Sequence, residues 1–244
     1  MINFTPTETL VTLVQPESAI SDAYRILRTN IVLRDVDHKV KVINVLSTTQ
    51  GEGKSTTILN LATVFAQMEK KVLVVDLDLR RPSLHRKLNI KNALGVTDVV
   101  SGSVELQDAL VKYMDNMYVL FSGTKIGFSA EFIQSEAMKH FIEKIRSHFD
   151  YILLDCPPVG MVSDGILATD LADGTLLVVA SNTCEKKALI KTKEQLRQAK
   201  ANVLGVIVTK AEVEKKHKKG GYGYGYGYGY GYEETPKKKK GRKR

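Results

Sequence analysis

The sequence predicts a doubly wound α/β domain: a mostly parallel sheet with helices on both faces, followed by a disordered C-terminal tail. Three observations carry this. Short unbroken Val/Ile/Leu runs alternate with segments of helical periodicity, which is the pattern of parallel strands covered on both faces. Several of those runs end in a Gly-rich loop or an aspartate, and ligands of open α/β sheets sit at the carboxyl ends of strands. After Lys210 the pattern stops, and EVEKKHKKGG leads into six tyrosines alternating with glycine. Alternating glycine adds backbone entropy and supplies no packing side chain.

In chain order, residues 1–16 are weakly patterned and end in Pro16. Ser18 or Ser21 can cap a helix reaching about Leu33, with Ile20, Tyr24, Leu27 and Ile31 at helical spacing. Val42–Leu46 reads as a buried strand, Ser55–Met68 as a helix and Lys71–Asp76 as a second strand. Met117–Phe121 is a short strand, followed by a helix near Glu136–Phe149. Tyr151–Asp155, Thr175–Ala180 and Val203–Val208 complete the strands, with a helix over Lys186–Ala199 between the last two. The domain boundary falls at 211/212, and residues 212–244 form the tail.

Composition narrows the class. With 244 residues, 43% hydrophobic and 26% charged, the chain holds one globular domain with a substantial core. No apolar run spans a bilayer, and the N-terminus lacks a basic stretch leading into an apolar one, so neither a membrane span nor a signal peptide is expected. The two cysteines, Cys156 and Cys184, lack metal-ligand spacing and point to a reducing, cytoplasmic compartment. The net charge of +9 divides unevenly: residues 212–244 hold 11 Lys/Arg against 4 Glu, and the rest hold 25 Lys/Arg against 23 Asp/Glu. The basicity therefore belongs to the tail, where an electrostatic contact with an anionic membrane surface is the expectation, and the body offers no basic face for nucleic acid.

The chemistry-bearing motifs lie at strand ends. Leu46 is followed by STTQGEGKSTT. Gly51, Glu52, Gly53, Lys54, Ser55 and Thr56 match a P-loop, with Thr48 at the position of the first glycine of GxxxxGK[ST]. Its glycines let backbone N–H groups curl around phosphate oxygens, Lys54 would reach the β- and γ-phosphates of ATP, and Ser55 would ligate Mg²⁺. VLVVDLDLRRP places Asp76 and Asp78 at one strand end, with Arg80 and Arg81 beyond, and YILLDCPP places Asp155 at another. Apolar residues followed by Asp is how a carboxylate reaches a P-loop's Mg²⁺. A lone strand-end aspartate is commonly a turn residue; three beside a P-loop are a constellation.

These three segments resemble the Walker A, A′ and B motifs of the bacterial tyrosine kinases of capsule and exopolysaccharide assembly, relatives of the deviant-P-loop partition ATPases. Gly95–Gly102, GVTDVVSG, is similar to the family's GLSDVLSG-like stretch. A C-terminal tyrosine cluster, here Tyr222, Tyr224, Tyr226, Tyr228, Tyr230 and Tyr232, is a further family feature. The resemblance covers roughly residues 16–232. It implies an ATP- and Mg²⁺-dependent kinase that phosphorylates these tyrosines between subunits. Lys54, Asp76, Asp78 and Asp155 would be its catalytic set, with Ser55, Asp76 and Asp155 toward the metal. It also implies a homo-oligomer built on the helix near 18–33, where the family's ExxRxxR reads Asp22, Arg25 and Arg28. Further implications are a transmembrane activator resembling a chain-length determinant, which recruits the kinase to the inner membrane face, a tyrosine phosphatase, and polysaccharide-synthesis enzymes as substrates. Thr209 stands where the family places an Asn near the adenine, and FSAEFI, with Glu131, stands for an NPSELL-like stretch.

Asp76 and Asp78 both remain candidates for the base that takes the phenol proton, and Arg80 or Arg81 for stabilising the transferred phosphate. Two rivals of other classes share parts of this pattern. A partition or septum-site ATPase carries an additional lysine early in its P-loop, where this chain has Thr48 and Thr49. A nucleotide-dependent scaffold would bind acidic surfaces through its tail and leave it unphosphorylated.

Overall fold

In a computed structural model, the structure describes residues 7–37, 39–160, 162–181 and 183–211. The tail and its six tyrosines lie outside the described residues. Seven strands form one sheet: β1 Val42–Ser47, β2 Val72–Asp76, β3 Val111–Met114, β4 Met117–Leu120, β5 Tyr151–Asp155, β6 Gly174–Ala180 and β7 Val203–Thr209. Their order is β3-β4-β2-β5-β1-β6-β7, all parallel except the β3–β4 hairpin. The doubly wound, mostly parallel sheet expected from the sequence is the observed fold, and each expected strand lies within about a residue of its predicted span.

The apolar runs divide their side chains between two cores. Val42, Leu46, Leu73, Val75, Ile152 and Leu154 enter one, while Ile43, Val45, Val72, Val74 and Leu153 enter the other. This is the period-two alternation of a strand buried on both faces. The second core is closed by α1, Ala19–Arg34, and α2, Lys54–Ala66. The first is closed by α3, Glu136–Arg146, and α4, Lys186–Gln198, through residues such as Ile142 and Leu196. Ser18 is the cap of α1, its Oγ accepting from the N–H of Ser21 at 3.2 Å. Among the described residues no helix is long and apolar enough to cross a membrane.

Several short elements were not expected from the sequence, and two of them show why. Residues 1–16 look unpatterned, yet Val11–Val14 form a helical turn with Leu10 fully buried. Asn60 of α2 holds this turn, its Oδ1 accepting from both the N–H and the hydroxyl of Thr12 at 3.0 Å. Strand β3 is too short and too polar to show as an apolar run. Its signal was the Asp115-Asn116 pair, where Asn116 takes the left-handed conformation of a tight turn.

The GVTDVVSG stretch ties the sheet end to a short helix, Val96–Val100. Asp98 accepts from the N–H of Gly95 at 2.9 Å, the N–H of Thr124 at 3.1 Å and the hydroxyl of Thr124 at 2.5 Å. A Cβ on Gly95 would lie 2.1 Å from the carbonyl oxygen of Phe121 and 2.3 Å from the nitrogen of Gly123. Both obstacles are backbone, so Gly95→Ala should lower stability by about 2–3 kcal/mol. For a domain of this size that is a fall in Tm of roughly 5–10 °C. A variant melting with the parent would show that the β4 end moves aside freely.

Candidate functional site: a phosphate cradle at three strand ends

The parallel order β2-β5-β1 sets the carboxyl ends of these strands side by side, and the three motifs with them. Asp76 and Asp155 are register partners at the ends of β2 and β5. The loop from β1 into α2 curls over them. Gly51 and Gly53 have φ of +83° and +92°, the left-handed backbone that turns successive N–H groups inward and that other residues resist. The loop opens on a cavity of about 590 Å³ whose lining includes Gly51, Lys54, Ser55, Thr56, Asp78 and Arg80. That volume lies within the range of small-molecule sites.

Lys54 starts α2 with its Nζ hydrogen-bonded to Asp155 Oδ1, and both side chains are almost fully buried. Burial, the largest single influence, draws the lysine's pKa down; the charge and hydrogen bond of Asp155, together with the charge of Asp78, outweigh it and hold the value above the ordinary one. Asp155 Oδ2 is buried with no hydrogen-bond partner among the described residues. Such an atom favours a cation or an ordered water. The hydroxyl of Ser55 accepts from Ser83 Oγ at 3.0 Å. Among the described residues no three His, Cys, Asp or Glu side chains are grouped to hold a metal alone. A Mg²⁺ here fits as one held by Ser55, a carboxylate, water and phosphate oxygens, which is how this ion usually binds.

Asp76 and Asp78 occupy different surroundings. Asp76 is fully buried and accepts backbone N–H bonds from Asp78, Ser83 and Leu84, each at 3.2 Å. Burial first, and then the Asp155 charge, push its pKa up to about 8. Asp78 is half-buried and lines the cavity. Burial raises its pKa too, while Lys54 opposes the shift.

The remaining predicted residues fall as follows. The Glu52 side chain is buried and supports the loop from within, its Oε2 accepting from the N–H of Thr49 at 2.8 Å. The hydroxyl of Thr209 donates to the carbonyl of Glu52 at 2.6 Å, and Lys210 Nζ donates to the carbonyl of Gly51 at 2.9 Å. The end of β7 therefore clasps the P-loop, a contact between distant segments that no motif announces. Thr56 accepts from Lys87 Nζ at 3.1 Å. Lys87 belongs to the helical turn Leu84–Lys87 and was missed because a single Lys outside a motif carries no signal. On α1, Arg25 pairs with Asp22 at 2.7 Å, whereas Arg28 donates to the carbonyl of Val64 on α2 at 2.9 Å. The three are thus split between an exposed pair and an anchor within the domain.

A P-loop whose lysine meets an aspartate from a neighbouring strand end, on a parallel sheet of this order, defines a P-loop nucleotide-binding domain. Residues 40–213 match a family model described as an AAA domain. The chain is 36% identical over 217 residues to the tyrosine-protein kinase YwqD of Bacillus subtilis, covering 87% of this chain and 90% of that protein. It is 35% identical over 192 residues to the tyrosine-protein kinase CpsD of Streptococcus pneumoniae, covering 78% and 84%. The crystal structure of the chimeric protein CapA2B2 superposes with a TM-score of 0.79 at 31% identity, over 82% of this chain and 88% of that one. This chain belongs to the family of bacterial tyrosine kinases.

Proposed function

We propose that the chain is an ATP- and Mg²⁺-dependent kinase that phosphorylates the tyrosines of its own tail, Tyr222 to Tyr232, between subunits. In this reading residues 1–211 are the kinase domain and 212–244 the substrate tail. The observation that carries the reading is a cavity of about 590 Å³ lined by Lys54 and Asp78, with Asp155 hydrogen-bonded to Lys54 and Asp76 its register partner, in a chain that carries six closely spaced phenols beyond this domain.

Bound MgATP supplies the γ-phosphoryl group and a divalent charge beside it. Phosphoryl transfer needs charge neutralisation and in-line placement more than covalent help. The N–H groups of Gly51 to Ser55 hold the phosphates, and Lys54 turns from Asp155 toward them. Ser55 and Asp155 would hold the metal, with Asp76 supporting them from its fully buried position. A tyrosine hydroxyl has a pKa near 10, so a carboxylate in hydrogen-bond reach accepts its proton as attack proceeds. Asp78 suits this task better than Asp76, because it lines the cavity and Asp76 is sealed beneath it. Thr209 acts on the nucleotide through the P-loop, since its hydroxyl is engaged by Glu52.

By family resemblance the kinase works in the cytoplasm at the inner membrane face. There it is recruited by a transmembrane activator and assembled through the Asp22/Arg25 face of α1, and it regulates capsule or exopolysaccharide synthesis and export. From Lys210 to Tyr222 the chain reaches at most about 40 Å, a span open both to a neighbouring subunit's site in a ring and to the chain's own.

Intact-mass spectrometry with and without MgATP and a peptide from the activator tests this. Additions of one to six phosphates on the tail are expected, and none would overturn the kinase reading. Mixing Lys54→Met protein with a copy whose six tail tyrosines are Phe tests transfer between subunits. The Lys54→Met tail should be labelled, and an unlabelled tail would place transfer within one chain.

A further inference from the structure

Asp164 has no part in the phosphate cradle, yet its side chain is only 1% exposed. Burying a carboxylate is unfavourable unless charged or polar partners meet its oxygens. Its partners come from two distant segments. Arg80, just beyond Asp76 and Asp78, donates through Nε to Oδ2 at 2.8 Å and through Nη2 to Oδ1 at 3.1 Å. Ser129, in the segment FSAEFI, donates its hydroxyl to Oδ2 at 2.6 Å. Burial pushes the Asp164 pKa up, but Arg80 and Ser129 outweigh it and hold the carboxyl below its ordinary value.

The backbone beneath Asp164 is also held. Asn44 of β1 donates its side-chain amide to the carbonyl of Gly165 at 3.3 Å. A Cβ on Gly165 would lie 2.5 Å from the carbonyl oxygen of Pro157 and 2.9 Å from Leu46 Cδ2. The turn bearing Asp164 therefore sits directly on β1 and on the loop that follows Asp155. A line of contacts runs from the sheet through Asp164 to Arg80, and Arg80 lines the phosphate cavity with its side chain 47% exposed.

The geometry of the pair is informative. A guanidinium carries five N–H groups, and the two-pronged contact with Asp164 engages two of them. The others have no partner among the described residues. A free arginine at a cavity mouth loses rotamer entropy when it is ordered. Fixing it beforehand on a rigid carboxylate removes much of that cost at the moment of reaction. Neighbouring Arg81 shows the contrast: among the described residues its guanidinium has one hydrogen bond, to Gln50 Oε1 at 3.0 Å, and no carboxylate partner.

We propose that Asp164, steadied by Ser129, is a positioning residue that holds Arg80 toward the phosphoryl group in transfer. The proposal rests on the kinase reading and assigns a task to two segments, FSAEFI and the Ser163-Asp164-Gly165 turn, that the phosphate cradle leaves without one.

The test is calorimetric binding of Mg·ADP, alone and with aluminium fluoride as a stand-in for the transferring group, to the full chain. Asp164→Asn should weaken the fluoride complex by about 10–100-fold and leave Mg·ADP alone within about 2-fold. Ser129→Ala should act in the same direction by about 3-fold. In an Arg80→Ala background, Asp164→Asn should add nothing, because both changes remove one interaction. Equal weakening of Mg·ADP and its fluoride complex, or full additivity with Arg80→Ala, would make Asp164 merely structural and overturn the proposal. A fluoride complex that tightens in Asp164→Asn would show that the ion pair holds Arg80 away from the site, and would overturn it too. So would a wild-type chain that gains nothing from fluoride. If Asp164→Asn does not fold, Ser129→Ala carries the same comparison. A wild-type chain that binds the fluoride complex but labels no tyrosine would sink the kinase reading and leave the placement of Arg80 standing.

Discussion

Replacing Lys54 by Met should abolish tail phosphorylation, by at least about 10²–10³-fold, and should also destabilise the nucleotide-free protein. The second effect follows from the partner it leaves behind. Asp155 is fully buried and Lys54 is its ion-pair partner. Removing one member of a buried pair costs about 3–5 kcal/mol, or roughly 10 °C in Tm for a domain of this size. Adding Asp155→Asn should recover much of that stability, because the remaining charge disappears, while activity stays lost. A coupling of about 2–3 kcal/mol is expected from the four-variant cycle in urea. If Lys54→Met alone melts with the wild type, the ion pair contributes nothing to the fold. Lys54→Met would then be a clean kinase-dead protein.

Asp76→Asn should separate activity from stability in the opposite direction. Burial and the neighbouring Asp155 raise the folded-state pKa of Asp76 to about 8 from an ordinary value of 3.8. The folded protein therefore binds this proton more tightly than the unfolded chain does. Stability contributed by the protonated form is full below about pH 4 and is lost as pH rises through about 8. An Asn cannot ionise, so the variant should match the wild type near pH 4 and gain on it steadily as the pH rises. It should be the more stable of the two above pH 8, by up to about 5 kcal/mol. Phosphorylation should fall about 10²–10³-fold at every pH. Urea melts at pH 5, 7 and 8.5 without nucleotide decide the matter. A difference between the two proteins that does not change with pH would mean that Asp76 keeps an ordinary pKa in the fold.

Both effects arise from crowding two aspartates and a lysine at adjacent strand ends, and this crowding is where sequence and structure part. The P-loop was legible in the sequence because its requirements are local: glycines at +83° and +92°, a lysine opening a helix and an apolar run before them. The strands were legible because burial on both faces writes an unbroken apolar run. The aspartates could be flagged because three of them close apolar runs in a chain that also carries a P-loop, where any one alone reads as a turn residue. The bacterial tyrosine kinase family was readable from these motifs and the tyrosine cluster together.

The strand order was not in any single segment. Only the packed sheet makes Asp76 and Asp155 register partners and brings Lys54 onto an aspartate 101 residues away. Proximity between distant segments is a property of the closed chain, and so are the electrostatics that depend on it. Asp76 and Asp78 look equivalent as DLD, and both have raised pKa values. They differ because one points beneath the cradle and the other lines it. The clasp of Thr209 on Glu52 and the anchoring of Arg80 by Asp164 and Ser129 belong to the same class. Each joins residues whose local sequence carries no trace of the partner, because a hydrogen bond across the fold constrains position and leaves no periodicity. Motif and burial pattern determined what chemistry this protein carries, and the tertiary structure decided which side chains face it and which hold them in place.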